Sequence, residues 1–166
     1  NPIYGTNNVP DYGCDLLKQQ PVANKPGAVR FSVNTHASNG ARITKLLYEF
    51  GDGTTYTTTN INEVVEHSYK LTGSYTARVT TYASLPGNQT VTLLPIKCKT
   101  VVKIELPFYA CIDLSAVTVG DSKYRYKLTA TAKVGNGAKV TSAVFNFGDG
   151  KTQKVNAATG SNTVST

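Results

Sequence analysis

Residues 28–34 read AVRFSVN, with Val29, Phe31 and Val33 alternating with Arg30, Ser32 and Asn34. A period of two sends successive side chains to opposite faces of an extended strand, so this segment predicts a strand with one buried face. The pattern recurs along the chain. Residues 43–50 bring Leu46, Tyr48 and Phe50 to one side, and GSYTARVTTY does the same for Tyr75, Ala77, Val79 and Thr81. KCKTVVKIE sets Cys98, Thr100, Val102 and Ile104 against Lys97, Lys99 and Lys103. TTYTTT, EVVEHSY and QTVTLL add further short strands, and Asn39-Gly40 supplies a turn that tolerates positive φ. About seven short strands joined by tight turns predict an all-β, immunoglobulin-like β-sandwich. Its expected core includes Phe31, Tyr48, Phe50, Tyr69, Tyr75 and Val79.

The hydrophobic pattern also repeats on a larger scale. An offset of 97 lays Cys14 on Cys111, VRFSV at 29–33 on YKLTA at 126–130, NGA at 39–41 on NGA at 136–138, and FGDG at 50–53 on FGDG at 147–150, without a gap. Such a frame predicts two tandem copies of one module. An extended segment or linker, 1–12, precedes a sandwich over 13–105, and a second sandwich starts at 108, just past Pro107. Phe145 and Phe147 stand where the first copy has Tyr48 and Phe50, and are expected in the second core. A full second copy would reach about residue 202, whereas the sequence runs to 166, so the counterpart of 70–105 is missing from this chain. Three explanations stand open: the chain continues, another molecule donates the strands by strand addition, or the second copy is a frayed remnant.

Composition narrows the class. Abundant Thr and Val, 10 Tyr, 14 Gly and no Trp suit an all-β protein, and the absence of Met predicts that residue 1 is not the site of initiation. No apolar run approaches the length of a membrane-spanning helix, so no span is expected in this chain. Seventeen Lys and Arg against 10 Asp and Glu give a net charge of +7, which permits attraction to anionic polymers. The basic residues are dispersed, however, and Lys97, Lys99 and Lys103 read as the solvated face of a strand rather than an anion-binding strip. No nucleic-acid partner is expected.

The acidic, glycine-flanked corner invites a metal. A calcium cage needs about six to eight oxygen ligands, yet Asp52 is the lone acid of GDGTTYTTT, and Glu49, nearby, becomes Asn146 in the second copy. Backbone chemistry explains the corner instead: Gly51 and Gly53, like Gly148 and Gly150, reach φ values closed to other residues, and Asp52 and Asp149 accept bonds from amides two residues on. With two His and none of the nucleophile-elbow, zincin, phosphate-loop or dinucleotide motifs, no catalytic residue, metal ligand or cofactor is assigned. Tyr56 and Tyr82 are candidates for stacking on a glycan, although ordinary sheet-surface roles explain them more simply.

YEFGDGT at 48–54, HSY at 67–69 and GSYTARV at 73–79 together resemble the signature of the PKD (polycystic kidney disease) domain family, with Tyr48 in place of its usual Trp and Glu49 where Asp is frequent. The second copy shows the first element, FNFGDGK. The resemblance implies an extracellular β-sandwich module, either part of a bacterial or archaeal surface protein, stalk or appendage, or the accessory region of a secreted hydrolase. Its partners would be a protein or a surface polymer, including further copies of itself. It also implies that His67 braces the corner. In sandwiches of this class the first and last strands are neighbours, so Cys14 is expected to pair with Cys98, leaving Cys111 unpaired here. The rival pairing is Cys98 with Cys111. A disulfide would place the chain in an oxidising, extracellular compartment.

Overall fold

The structure, a computed structural model, describes residues 8–166. Most of the segment read as a linker, 1–12, therefore lies outside the described residues, and its last two positions already belong to the first strand. No helix occurs among the described residues. The chain divides into two compact units, 1–105 and 106–166.

In the first unit, β1 (Asp11–Pro21), β2 (Ala28–Ser38) and β5 (Val65–Ser68) form one antiparallel sheet in the order β1-β2-β5. The second sheet holds β3 (Arg42–Glu49), β4 (Thr55–Thr58), β6 (Gly73–Leu85), β7 (Gln89–Leu93) and β8 (Lys99–Ile104). Its long central strand, β6, pairs with β3 along one edge; its other edge is shared by β8, opposite residues 73–78, and β7, opposite residues 81–85. The alternation read from the sequence becomes the core: Val29 and Phe31, Leu46 and Tyr48, Ala77, Val79 and Val102 are all buried. Each of the larger side chains contributes roughly 1.5–3 kcal/mol by leaving water. Tyr75 does not join them. It is half-buried at the rim, stacked on Tyr69 at 4.4 Å, with its hydroxyl donating to the Leu71 carbonyl at 2.8 Å.

One feature of β1 breaks the period of two. The β1–β2 register shifts between Cys14 and Leu16, inserting Asp15 as a bulge. Cys14 and Leu17 are three apart and would face opposite ways on a regular strand; the extra residue turns both inward.

The second unit reproduces much of this at the same offset. β9 (Phe108–Thr118) and β10 (Tyr126–Gly135) pair as β1 and β2 do, with Phe108 opposite Gly135 where the first unit has Asp11 opposite Ser38. The bulge recurs after Cys111. β11 (Ser142–Asn146) and β12 (Thr152–Asn156) match β3 and β4 in register, and form a separate two-stranded sheet. β13 (Thr163–Ser165) is the exception. It pairs Ala130 with Val164, and the Thr166 amide donates to the Leu128 carbonyl at 3.0 Å, whereas β5 sets Val65 opposite Phe31, so β13 has slid four residues along β10. An even slide keeps the same side chains facing the core, and Val164 stays buried.

Burial differs accordingly. Phe145 is buried, but Phe147 is 44% exposed where Phe50 is 3% exposed, which corrects its assignment to the core. Phe50 is held by His67 and Phe31; β13 carries no aromatic residue, and at the offset of 97 Val164 stands where the first unit has His67. Leu114 is likewise 62% exposed against 3% for Leu17, whose cover in the first unit comes from the opposite sheet.

Candidate functional site

The FGDG corner of the first unit follows the last residue of β3. The Phe50 amide donates to the Thr54 carbonyl at 3.2 Å, closing a turn whose glycines, Gly51 and Gly53, have φ of 86° and 89°. Gly51 also touches β6: a Cβ there would meet the Thr76 backbone oxygen at 2.6 Å. Asp52 Oδ1 accepts from the Thr54 amide at 3.0 Å and from its hydroxyl at 2.6 Å, while Oδ2 lies 2.7 Å from His67 Nε2. Burial pushes the Asp52 carboxyl up, but the bonds from Thr54 and His67 outweigh it and hold the group below the usual carboxylate range. The His67 ring lies on Phe50 and meets Tyr69 edge-on, and the Tyr69 hydroxyl donates to the Phe50 carbonyl at 2.9 Å. Sequence-predicted Gly51, Asp52, Gly53, His67, Phe50 and Tyr69 are thus brought together in one cluster.

The chemistry open to this cluster is structural. Thr54 Oγ1 lies 3.4 Å from His67 Nε2, the nitrogen that also faces Asp52. A relay for nucleophilic attack needs the acid on the opposite ring nitrogen from the hydroxyl, so this trio cannot pass a proton along the ring. Both oxygens of Asp52 are occupied within the turn, and no group of three or more His, Cys, Asp or Glu that could hold a metal ion occurs among the described residues. The corner of the second unit closes by the same local bonds, Phe147 amide to Lys151 carbonyl at 3.2 Å and Lys151 amide to Asp149 Oδ1 at 3.0 Å, with Gly148 and Gly150 again at positive φ. There the turn forms without a histidine brace.

Cys14 and Cys98 form a disulfide with their Cα atoms 5.9 Å apart, joining β1 to the start of β8 and excluding the pairing of Cys98 with Cys111. Gln19 strengthens the same seam, its amide donating to Thr100 Oγ1 at 3.0 Å and to the Val101 carbonyl at 2.7 Å. Cys111 is free and exposed. It lines an apolar cleft of about 340 Å³ in the second unit with Leu114, Leu128, Ala130, Phe145 and Val164. In the first unit β6 and β8 supply the side chains that cover this face.

The two tyrosines considered for glycan stacking lie on opposite faces of one sheet. Tyr56 stands opposite core-facing Tyr48 and donates to Glu63 Oε1 at 2.9 Å, whereas Tyr82 stands opposite outward-facing Lys45, whose ammonium lies 4.1 Å over its ring. They form no common platform.

Five of the dispersed basic residues, by contrast, share one face. The outer face of the second sheet carries Arg42 and Lys45 on β3, Arg78 on β6 and Lys99 and Lys103 on β8, with Arg78 directly opposite Lys99. None of the five forms an ion pair among the described residues. The period-two parity of Lys99 and Lys103 was visible in the sequence. The proximity of Lys99 to Arg78 was not, because it depends on which strands pair.

No curated protein and no solved structure matched the chain. The family model described as PKD domain matches residues 15–93. PKD domains are generally immunoglobulin-like, non-catalytic modules, usually extracellular, and the Cys14–Cys98 disulfide accords with an oxidising compartment. The matched span falls within the β-sandwich of the first unit and takes in its FGDG corner and His67.

Proposed function

We propose that this chain is part of a non-enzymatic surface protein of a bacterium or archaeon, a stalk, adhesive array or appendage built from tandem PKD-type modules, and that residues 106–166 are the front of a second module. One observation carries the reading: at a constant offset of 97 the second unit repeats the strand ends, the bulge beside the cysteine and the corner hydrogen bonds of the first. A repeated module with internally bonded corners and a disulfide seam suits a part that transmits load or sets distance. Antibodies raised against residues 8–105 should label intact source cells without permeabilisation. Labelling that requires permeabilised cells overturns the reading. Antigen found free in the medium together with a hydrolase activity supports instead an accessory region of a secreted enzyme.

A further inference from the structure

The two outer faces of the first unit differ in how they treat positive charge. On the β1-β2-β5 sheet, Glu66 binds both Lys25 and Arg30, and Lys18, opposite Ser32, is the strand cation of that face without an ion pair among the described residues. On the β4-β3-β6-β8 face, the five cations share the surface with two acids, Glu49, which stands opposite Arg78 in register without forming an ion pair, and Glu105, just past the end of β8. Arg78 and Lys99 are cross-strand neighbours about 5 Å apart, while Lys103 and Lys45 stand level with Ser74 and Tyr82, each four residues along β6 from Arg78, so the cations are strung along the face with one close pair at its centre. Between them stand hydroxyls: Ser74 is opposite Lys103, and Thr92 is opposite Tyr82.

We propose that this outer face is a docking surface for a linear anionic glycan, one bearing a carboxylate or sulfate on its repeating units. Cations of one sign on a flat sheet raise the local concentration of a polyanion and pair with its acidic groups, and the intervening Ser and Thr side chains donate to sugar oxygens. Lys45 is held in place over Tyr82, so less conformational freedom is lost when it meets an anion. That same contact covers the face's tyrosine ring. Single-stranded nucleic acid is bound chiefly by aromatic platforms on which bases stack, and this surface offers no uncovered one. The surface belongs to the first unit alone and does not depend on the tandem-module reading.

Titration of the 166-residue chain with sodium polygalacturonate, with dextran sulfate, with neutral dextran and with single-stranded DNA tests the assignment. Both anionic polymers should bind at about 20 mM salt and weaken sharply by about 200 mM, as screened exposed charges do, and neutral dextran should not bind. The Arg78→Glu/Lys99→Glu variant should bind about tenfold more weakly. Lys127→Glu/Lys133→Glu, which changes net charge equally in the second unit, should stay within about twofold. Binding of carboxylated polymer alone, or of sulfated polymer alone, narrows the anion while upholding the surface. Absence of binding at low salt, equal weakening by the two double variants, or tighter binding of single-stranded DNA than of either glycan overturns it.

Discussion

The ring of His67 lies flat on the ring of Phe50, 3.9 Å between centroids and 4° from parallel, while its Nε2 meets the Asp52 carboxylate at 2.7 Å. One side chain on β5 thereby joins the core to the turn that follows β3. His67→Ala removes both contacts and should destabilise the first unit by about 2–3 kcal/mol, while His67→Phe keeps the stack and should cost about 1 kcal/mol. Urea unfolding of the two variants compares them; equal losses would show that the stack contributes nothing.

Asp52 titrates below its ordinary range when folded, so its contribution is complete above the unfolded carboxylate range and fades as pH falls through the depressed folded value. Acid unfolding of Asp52→Asn should therefore show a flatter loss of stability below about pH 4 than the parent. Parallel acid limbs would remove Asp52 from this account.

Tyr48 and Thr81 are buried with hydroxyls that find no hydrogen-bond partner. An unpartnered buried hydroxyl costs about 1–3 kcal/mol, so Tyr48→Phe, the residue type present at Phe145, should leave the protein equally or more stable. Burial, with a smaller push from Glu63, raises the Tyr48 hydroxyl to about 12. Its stabilising effect as the neutral form is full below the unfolded value near 10 and is lost as pH climbs toward 12, at about 1.4 kcal/mol per unit. Alkaline unfolding of Tyr48→Phe should accordingly begin at higher pH, and an unchanged alkaline limb refutes the assignment.

Reduction of the Cys14–Cys98 bond opens a loop of 84 residues and should lower stability by about 4–5 kcal/mol on the chain-entropy account. Thiol titration of the native chain should count one reactive group, Cys111, and Cys111→Ser should reduce that count to zero without changing the unfolding of the first unit.

Gly51 and Gly148 share a positive φ but not an environment. Gly51→Ala meets the Thr76 backbone and should destabilise the first unit by about 3 kcal/mol or more, whereas Gly148 has nothing within 4 Å and its replacement by Ala should cost about 1 kcal/mol of backbone strain. Thermal unfolding distinguishes them; equal costs would mean that the contact with β6 is immaterial.

Appending residues 66–105 after Thr166 would give the second unit the counterparts of β6, β7 and β8 and a cysteine opposite Cys111. Cooperative unfolding of that unit and loss of the free thiol are expected. A thiol that stays reactive, with no gain in stability, counts against a second module.

Much of this protein was legible as written. Period-two alternation placed Phe31, Leu46, Tyr48, Val79 and Val102 inward and Lys99 and Lys103 outward, because strand geometry makes the side of a residue a matter of parity. The turn at each FGDG was equally readable, since its bonds run between residues two to four apart and form in both units. Tertiary structure decided what parity cannot carry. The bulge at Asp15 switches the side of Cys14, the slide of β13 sets Val164 opposite Ala130, and the pairing of β6 with both β3 and β8 sets Arg78 beside Lys99. Each of these depends on register between strands far apart in sequence, where a shift of one residue reverses every face and a shift of four changes every neighbour while reversing none.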